Sequence, residues 1–236
     1  TLRSLLLQEV WPDHIILWIA KGEKNALPPS VCELESYGLS IRFCEDIRSY
    51  KKIIPTLREY PDSFIATADD DIYYDPDWLK GLIESWDGDH KTVVANRAHK
   101  MRLNEKGNPL PYRQWKWQVG PKEPADGLIV PTGCGGVLYP PRIFHQDVIS
   151  ESRFMQLCPS ADDIWLYWMA SLNGAKARRN KCNFKLIEWP CEKNPPLWKE
   201  NIHRGGNDAA VKKMLEHYSG PWKVKGFKDK SHLDEA

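Results

Sequence analysis

A short apolar run that ends in three consecutive carboxylates is the feature of this sequence that most constrains its fold. Residues 64–68 (FIATA) are typical of a buried strand, and Asp69, Asp70 and Asp71 follow directly. Adjacent like charges repel one another, and burying them is costly unless they are neutralised. Mg²⁺ and Mn²⁺ prefer carboxylate oxygens and commonly share them with phosphates. The segment therefore predicts a metal and a phosphate-bearing ligand at the carboxyl end of a strand; the alternative is a solvated acidic turn.

Strand-like and helix-like segments alternate at short spacing along the first 96 residues. Such alternation predicts an α/β fold in which helices cover a mostly parallel sheet. Asp75 followed by Pro76 is a suitable N-cap for one of the helices. The expected elements are a helix at 2–8, a strand at 14–20, a helix at 29–37, a strand at 40–44, a helix at 49–60, a strand at 63–68, a helix at 75–86 and a strand at 92–95.

The pattern changes after residue 96, where Trp, Tyr, Pro, Gly and Lys dominate as far as residue 130. Beyond it we expect a glycine-loosened strand, a helix, a strand and a last helix. We expect one domain over residues 1–220, with halves at 1–96 and 97–220, and a polar tail at 221–236. The later elements are placed at 133–139, 160–173, 183–188 and 208–218.

Composition excludes several classes of function. The formal net charge is +1, so no global field favours nucleic acid. The longest apolar run, residues 15–20, is too short to cross a bilayer. Six cysteines are widely spaced without a CxxC pair, which favours reduced thiols and a cytosolic protein.

A glycine-rich segment and an acidic pair follow in the second half. Residues 133–136 (GCGG) lack side chains where another molecule could approach the backbone; the alternative is a strand with a bulge. Asp162 and Asp163 open the helix at 160–173. One of them can cap the helix, which leaves the other free to act as a general base.

Two further segments have both a functional and a structural interpretation. His203 lies beside Gly205 and Gly206, where it could complete a metal site or meet a diphosphate; the alternative is a surface loop and helix cap. Residues 112–117 (YRQWKW) could form an acceptor-binding flap or a packed loop.

In their order along the chain, these motifs resemble those of glycosyltransferases with the GT-A fold. The likeness is closest to bacterial, family-2-like enzymes that build capsule, O-antigen or other surface glycans. It rests on Asp69–Asp71, Gly135–Gly136 and Asp162–Asp163, at intervals of about 65 and 25 residues. It implies a Rossmann-like, mostly parallel sheet flanked by helices. Because this chain opens in what resembles the first helix, either the first strand lies upstream of Thr1 or the nucleotide site is built differently.

The resemblance also implies ligands. The donor would be a nucleotide-diphosphate sugar, with a UDP-sugar as the foremost candidate, and Mn²⁺ or Mg²⁺ would bridge its phosphates. The acceptor would be an oligosaccharide or a lipid-linked glycan. The protein would be cytoplasmic, and four tail lysines are candidates for contact with the inner face of the membrane: Lys223, Lys225, Lys228 and Lys230.

By the same resemblance, Asp71 would hold the metal, Asp69 would lie near the metal or the ribose, and His203 would be a late metal ligand. Asp163 would be the base of an inverting enzyme, with Asp162 assisting. The remaining expected contacts are Asp70, Asp46 and Lys52 on the donor, and Gly135, Gly136, Trp165 and Trp115 on the sugar or acceptor.

Three alternatives stay open at this stage. A retaining transferase of the same fold would use the 162–163 pair to bind sugar. A nucleotidyltransferase or metal-dependent phosphohydrolase would also use clustered aspartates at strand ends. A non-catalytic carbohydrate-binding module would fit the eleven tryptophans but would leave the acidic triplet unexplained.

Overall fold

The computed structural model describes residues 1–182, 185–189 and 199–223, and it contains the strands predicted in the first 96 residues together with strands that the sequence did not predict. The strands at 14–20, 40–44, 63–68 and 92–95 are confirmed to within about two residues at either end. In chain order the strands are β1 (Ile15–Ala20), β2 (Leu39–Cys44), β3 (Ile65–Thr67), β4 (Ile72–Tyr73), β5 (Thr92–Ala95), β6 (Ala98–Lys100), β7 (Ile129–Pro131), β8 (Val137–Tyr139), β9 (Lys176–Arg179) and β10 (Ile187–Glu188).

The helices are short, apart from two in the second half of the chain. They are α1 (Leu2–Leu5), α2 (Pro29–Cys32), α3 (Ile54–Glu59), α4 (Trp78–Ser85), α5 (Glu151–Leu157), α6 (Asp162–Leu172) and α7 (Gly206–Tyr218). The predicted helices at 160–173 and 208–218 are confirmed as α6 and α7. Of the strand predicted at 183–188, only β10 is observed, and residues 183 and 184 lie outside the described residues.

The central sheet is mixed, with the strand order β3-β8-β5-β9. Strand β8 is antiparallel to both β3 and β5, and β5 is parallel to β9. Strands β1 and β2 form a separate parallel pair. The α/β class is confirmed, but "mostly parallel" was too strong, because the strand after the glycine segment enters between β3 and β5 in the opposite direction. Since β3 and β5 therefore point the same way, their carboxyl ends share one edge with the start of β8.

Two predicted helices begin later than expected. The helix at 49–60 divides into a 3₁₀ turn, Arg48–Lys52, and α3. Pro55 has no N–H to donate, so a helix begun at residue 49 cannot continue through it. The helix predicted from Asp75 starts at Trp78, whose N–H donates to the carbonyl of Asp75 at 3.0 Å. Its N-cap is Asp77, and Asp75 lies in the preceding turn.

The largest hydrophobic cluster draws on both predicted halves of the chain, from Ile47 to Trp222. Helix α6 runs through it, with Trp165 and Trp168 fully buried. The polar tail predicted at 221–236 does not begin at residue 221, because Trp222 belongs to the core. Its indole is buried, lies edge-on to Trp168 and donates to the Gly107 carbonyl at 3.1 Å. Residues 224–236 lie outside the described residues, and so do the side chains of all four tail lysines.

Two expectations from composition can be compared with the described residues. None of the helices in this part of the chain has the length and apolar character needed to cross a membrane. The cysteines it contains are free thiols, namely Cys32, Cys44, Cys134, Cys158 and Cys182; Cys191 lies outside it.

Candidate functional site

The sheet edge shared by β3, β5 and β8 carries the polar residues of the candidate site. Asp69 lies two residues beyond β3, Arg97 two residues beyond β5, and the turn Gly133–Gly135 just before β8. The amino end of α6 meets this edge, since the Gly133 N–H donates to Asp163 Oδ1 at 2.9 Å. The acidic triplet and the acidic pair, about 90 residues apart in the sequence, therefore face one another.

Lys52 connects the two acidic motifs. Its Nζ lies 2.9 Å from Asp69 Oδ1 and 3.0 Å from Asp162 Oδ2. That Asp162 oxygen is buried and accepts no hydrogen bond from the described residues, so the contact is an ion pair rather than an aligned hydrogen bond. Burial lowers the pKa of Lys52, but Asp162, Asp69 and Asp163 outweigh it and raise that pKa well above its ordinary value. Lys52 therefore stays charged.

Asp163 has the most unusual protonation behaviour of the site. Burial, followed by the charge of Asp162, raises the pKa of Asp163 to about 7, although Lys52 and the Gly133 N–H favour its ionised form. Asp162 is held from two sides, because its Oδ1 also accepts the Ser49 hydroxyl at 2.9 Å. One carboxylate is thus anchored, and its neighbour exchanges a proton near neutral pH. This is the property that a general acid or base requires.

The acidic triplet splits between an inward and an outward part. Asp69 turns toward Lys52, and its N–H donates to the Tyr74 hydroxyl at 2.8 Å. Asp70 and Asp71 are exposed. Partial burial and the repulsion from Asp69, Asp70 and Glu188 raise the pKa of Asp71. A divalent cation would relieve that repulsion, so the donor chemistry suits Mg²⁺ or Mn²⁺ held by one or two carboxylates and substrate phosphates.

A metal site built from three protein ligands is not formed by the described residues. No group of three His, Cys, Asp or Glu side chains in that part of the chain could hold a metal ion. His203, the expected late ligand, is exposed at the end of a π-helical turn, Lys199–His203. Its Nδ1 lies 3.3 Å from Nη2 of Arg113. The structure thus places His203 beside an arginine and does not group it with Asp69 and Asp71.

The glycine segment is shaped by packing against Trp78 and by the site itself. Gly136 has φ +89°, and a Cβ there would lie 2.4 Å from the Trp78 ring. The Gly135 carbonyl accepts the Trp78 indole N–H at 2.9 Å and the Asn96 amide at 3.1 Å. The contact with Trp78 explains Gly136 without an acceptor, and the hydrogen bonds fix the backbone of Gly135. Gly133 lies against the charged cluster, because a Cβ there would be 3.1 Å from Asp163 Oδ1 and 2.7 Å from Lys52 Nζ.

Other residues expected to contact the substrate are placed elsewhere. Trp165 and Trp115 are buried, and their indole N–H groups donate to the carbonyls of Val148 and Leu110 at 3.1 and 2.9 Å. The structure puts both indoles in the core, with no free face for a sugar.

The remaining expected contacts are surface or loop residues. Asp46 is exposed and pairs with Lys51, which, with the Arg48 N–H, lowers the pKa of Asp46. The segment at 112–117 packs at Tyr112 and Trp115 and leaves the Trp117 ring partly exposed, so it agrees better with the packed-loop alternative.

Sequence inspection missed two residues that border the carboxylates. Arg97 Nη1 donates to Thr132 Oγ1 at 3.1 Å and to Cys134 Sγ at 3.3 Å. Its position just past a predicted strand was the available signal. Trp189 is 49% exposed, and its backbone N–H donates to the Asp71 carbonyl at 2.7 Å. No pattern in the sequence links it to the triplet.

No protein-family model matches this chain, and no curated protein matches it. What the site does is therefore inferred from its own residues.

Proposed function

We propose that this protein is a metal-dependent, inverting glycosyltransferase of the GT-A type. It would transfer a sugar from a nucleotide-diphosphate sugar to a glycan hydroxyl during synthesis of a bacterial surface polysaccharide. The observation that carries the proposal is the meeting of Asp69 with Asp162 and Asp163 around Lys52, at the carboxyl end of a strand. Ligands commonly bind at this end of the strands in α/β sheets.

Asp163 is proposed as the general base. The acceptor hydroxyl attacks the anomeric carbon, the bond from that carbon to the diphosphate breaks, and the hydroxyl proton passes to the Asp163 carboxylate. A carboxylate with a pKa of about 7 is a stronger base than an ordinary aspartate and is still ionised in slightly alkaline solution. Lys52 and Ser49 hold Asp162, and the Gly133 N–H holds Asp163, so the base is fixed in orientation.

Asp71, with Asp70, is proposed to hold Mn²⁺ or Mg²⁺. When bound, the ion would act as a Lewis acid and offset the negative charge that develops on the leaving diphosphate. Asp69 already accepts a hydrogen bond from Lys52. The exposed carboxylates of Asp70 and Asp71 are therefore the ones that face a ligand. A UDP-sugar is the first donor to test.

A thermal-shift screen tests the proposal. UDP, GDP, CDP, TDP and CMP are each added to the protein with and without Mn²⁺, and the melting temperature is recorded. A ligand that binds only the native state raises that temperature. We expect one nucleoside diphosphate to do so only with Mn²⁺, and Asp71→Ala to abolish the shift. No shift with any of them, together with no nucleotide release from any sugar donor, contradicts the proposal. The anomeric configuration of the product, read by NMR, separates the inverting from the retaining reaction.

A carbohydrate-binding protein without catalysis is the second candidate. Trp189 favours it, because it is 49% exposed and its backbone is hydrogen-bonded to that of Asp71, and an aromatic face can pack on a sugar ring while carboxylates accept its hydroxyls. Glycan binding that is independent of metal and unaffected by Asp163→Asn would favour this function over transfer.

A further inference from the structure

Arg97 is a half-buried cation whose hydrogen-bonding capacity is only partly used. Its two hydrogen bonds, to Thr132 and Cys134, both come from Nη1. Among the described residues no carboxylate lies within ion-pairing distance of its guanidinium, and its buried Nε has no acceptor. Leaving a charged donor unsatisfied is unfavourable. The buried Nε is out of reach of a ligand, but Nη2 makes no hydrogen bond to the described residues, and an oxyanion that arrives with a ligand would provide an acceptor for it.

Arg97 flanks the proposed base rather than the proposed metal carboxylate. It contacts Cys134, and the neighbouring Gly133 binds Asp163. The charges of Arg97 and Asp163 also act on the same two side chains, Cys134 and Tyr112. The charges that act on Asp71 are those of Asp69, Asp70 and Glu188. The group that meets Arg97 should therefore belong to the molecule that gives its proton to Asp163.

We propose that Arg97 binds an anionic group of the acceptor, either a phosphate or the carboxylate of an acidic sugar. The assignment to the acceptor rests on the proposed glycosyltransferase function. The planar guanidinium holds its donors in a rigid fork, so the open branch, Nη2, directs its N–H bonds at the oxygens of either group, which the rotating ammonium of a lysine does not do. Thr132 and Cys134 hold one end of this fork in place, so the remaining donors are oriented before the ligand arrives.

Titration calorimetry of the full chain in EDTA tests the anion site. Inorganic pyrophosphate and glucuronate serve as separate probes, and EDTA removes any contribution from a metal at Asp71. We expect at least one probe to bind wild type, and Arg97→Met to weaken it about tenfold or more. Arg102→Met is the matched control, because Arg102 is exposed; it should bind as wild type does. If Arg97→Met weakens the binding of pyrophosphate only, the acceptor carries a phosphate. If it weakens the binding of glucuronate only, the acceptor contains an acidic sugar.

Equal affinity in wild type and Arg97→Met overturns the proposal, as does the absence of binding to wild type. Should Arg97→Met fold poorly, Arg97→Lys retains the charge without the fork, and affinity equal to wild type would likewise overturn it. Asp71→Ala should not weaken anion binding in EDTA, because it only removes a negative charge. Repeating the pyrophosphate titration in Mn²⁺ tests the side: binding that Mn²⁺ strengthens only when both Arg97 and Asp71 are present would assign the anion to the donor side and overturn the proposal. Anion binding that needs Arg97 in a protein that releases no nucleotide would reject the transferase function while the anion site stands.

Discussion

Lys52 determines the charge balance of the site at the scale of single residues. Three carboxylates against one ammonium group leave the cluster net negative, and Asp162 is almost fully buried. Charges in such a position are tolerated because they compensate one another. Removing the cation therefore affects the protonation of the carboxylates as well as the free energy of unfolding.

Lys52→Met should lower the free energy of unfolding at pH 7 by about 3–5 kcal/mol, because it leaves buried carboxylates unpaired. The loss should shrink at pH 5, because Asp163, whose pKa is raised, is then protonated and one of the unpaired charges is gone. Urea unfolding at both pH values measures it. Lys80→Met is the control, because its pair with Glu9 is largely exposed and should contribute at most about 1 kcal/mol. Equal losses in the two variants would mean that Lys52 does not compensate the cluster.

Asp163 should make the protein less stable as pH rises. Its pKa in the folded protein, about 7, exceeds its ordinary value, so the native state binds more protons than the unfolded state between about pH 4 and 7. Its contribution to the free energy of unfolding is favourable below that window. As pH rises to 7 this contribution is lost, by up to about 1.4 kcal/mol per pH unit.

Asp163→Asn should flatten this slope and raise stability at pH 8, because the amide oxygen can still accept the Gly133 N–H. Turnover should fall by about 10²-fold or more, since the base is gone. Urea unfolding from pH 4 to 8, with a nucleotide-release assay, measures both. A slope and turnover like those of wild type would exclude Asp163 as the base.

At the scale of elements, the turn between β7 and β8 and the start of α4 are matched to one another. Gly136 combines φ +89° with direct contact to the Trp78 ring. Both constraints exclude a side chain, and they differ in origin, because one is backbone strain and the other is steric overlap.

Gly136→Ala should therefore lower the free energy of unfolding by about 2–4 kcal/mol. Gly88→Ala is the matched control: Gly88 also has a positive φ, +81°, but nothing lies within 4 Å of a Cβ there. It should cost only the strain, about 1 kcal/mol. Denaturant midpoints compare them, and similar losses would show that the Trp78 contact adds nothing.

At the scale of the whole molecule, one hydrophobic cluster joins residues from both sides of position 96. Helix α6 is central to it, so the element that carries Asp162 and Asp163 also holds the core together. Without the other half, each half would expose the apolar surface that it contributes to this cluster.

We therefore expect urea unfolding of the full chain to be a single transition, with tryptophan fluorescence and far-UV circular dichroism giving the same midpoint. Residues 1–96 made alone should lack a cooperative transition. Two separate midpoints in the full chain would mean that the halves fold independently.

Local pattern was enough to place β1, β2, β3 and β5, the helices at 162–172 and 206–218, and an acidic triplet directly after a buried strand. It did not predict β4, β6, β7 or β9. Hydrophobic runs, prolines and glycines act over a few residues, so a sequence displays them directly. The meeting of Lys52 with Asp69 and Asp162, the antiparallel entry of β8 and the burial of Trp115 and Trp165 were decided by the tertiary structure. Each depends on which distant segments share the core, and this information is spread over the whole chain.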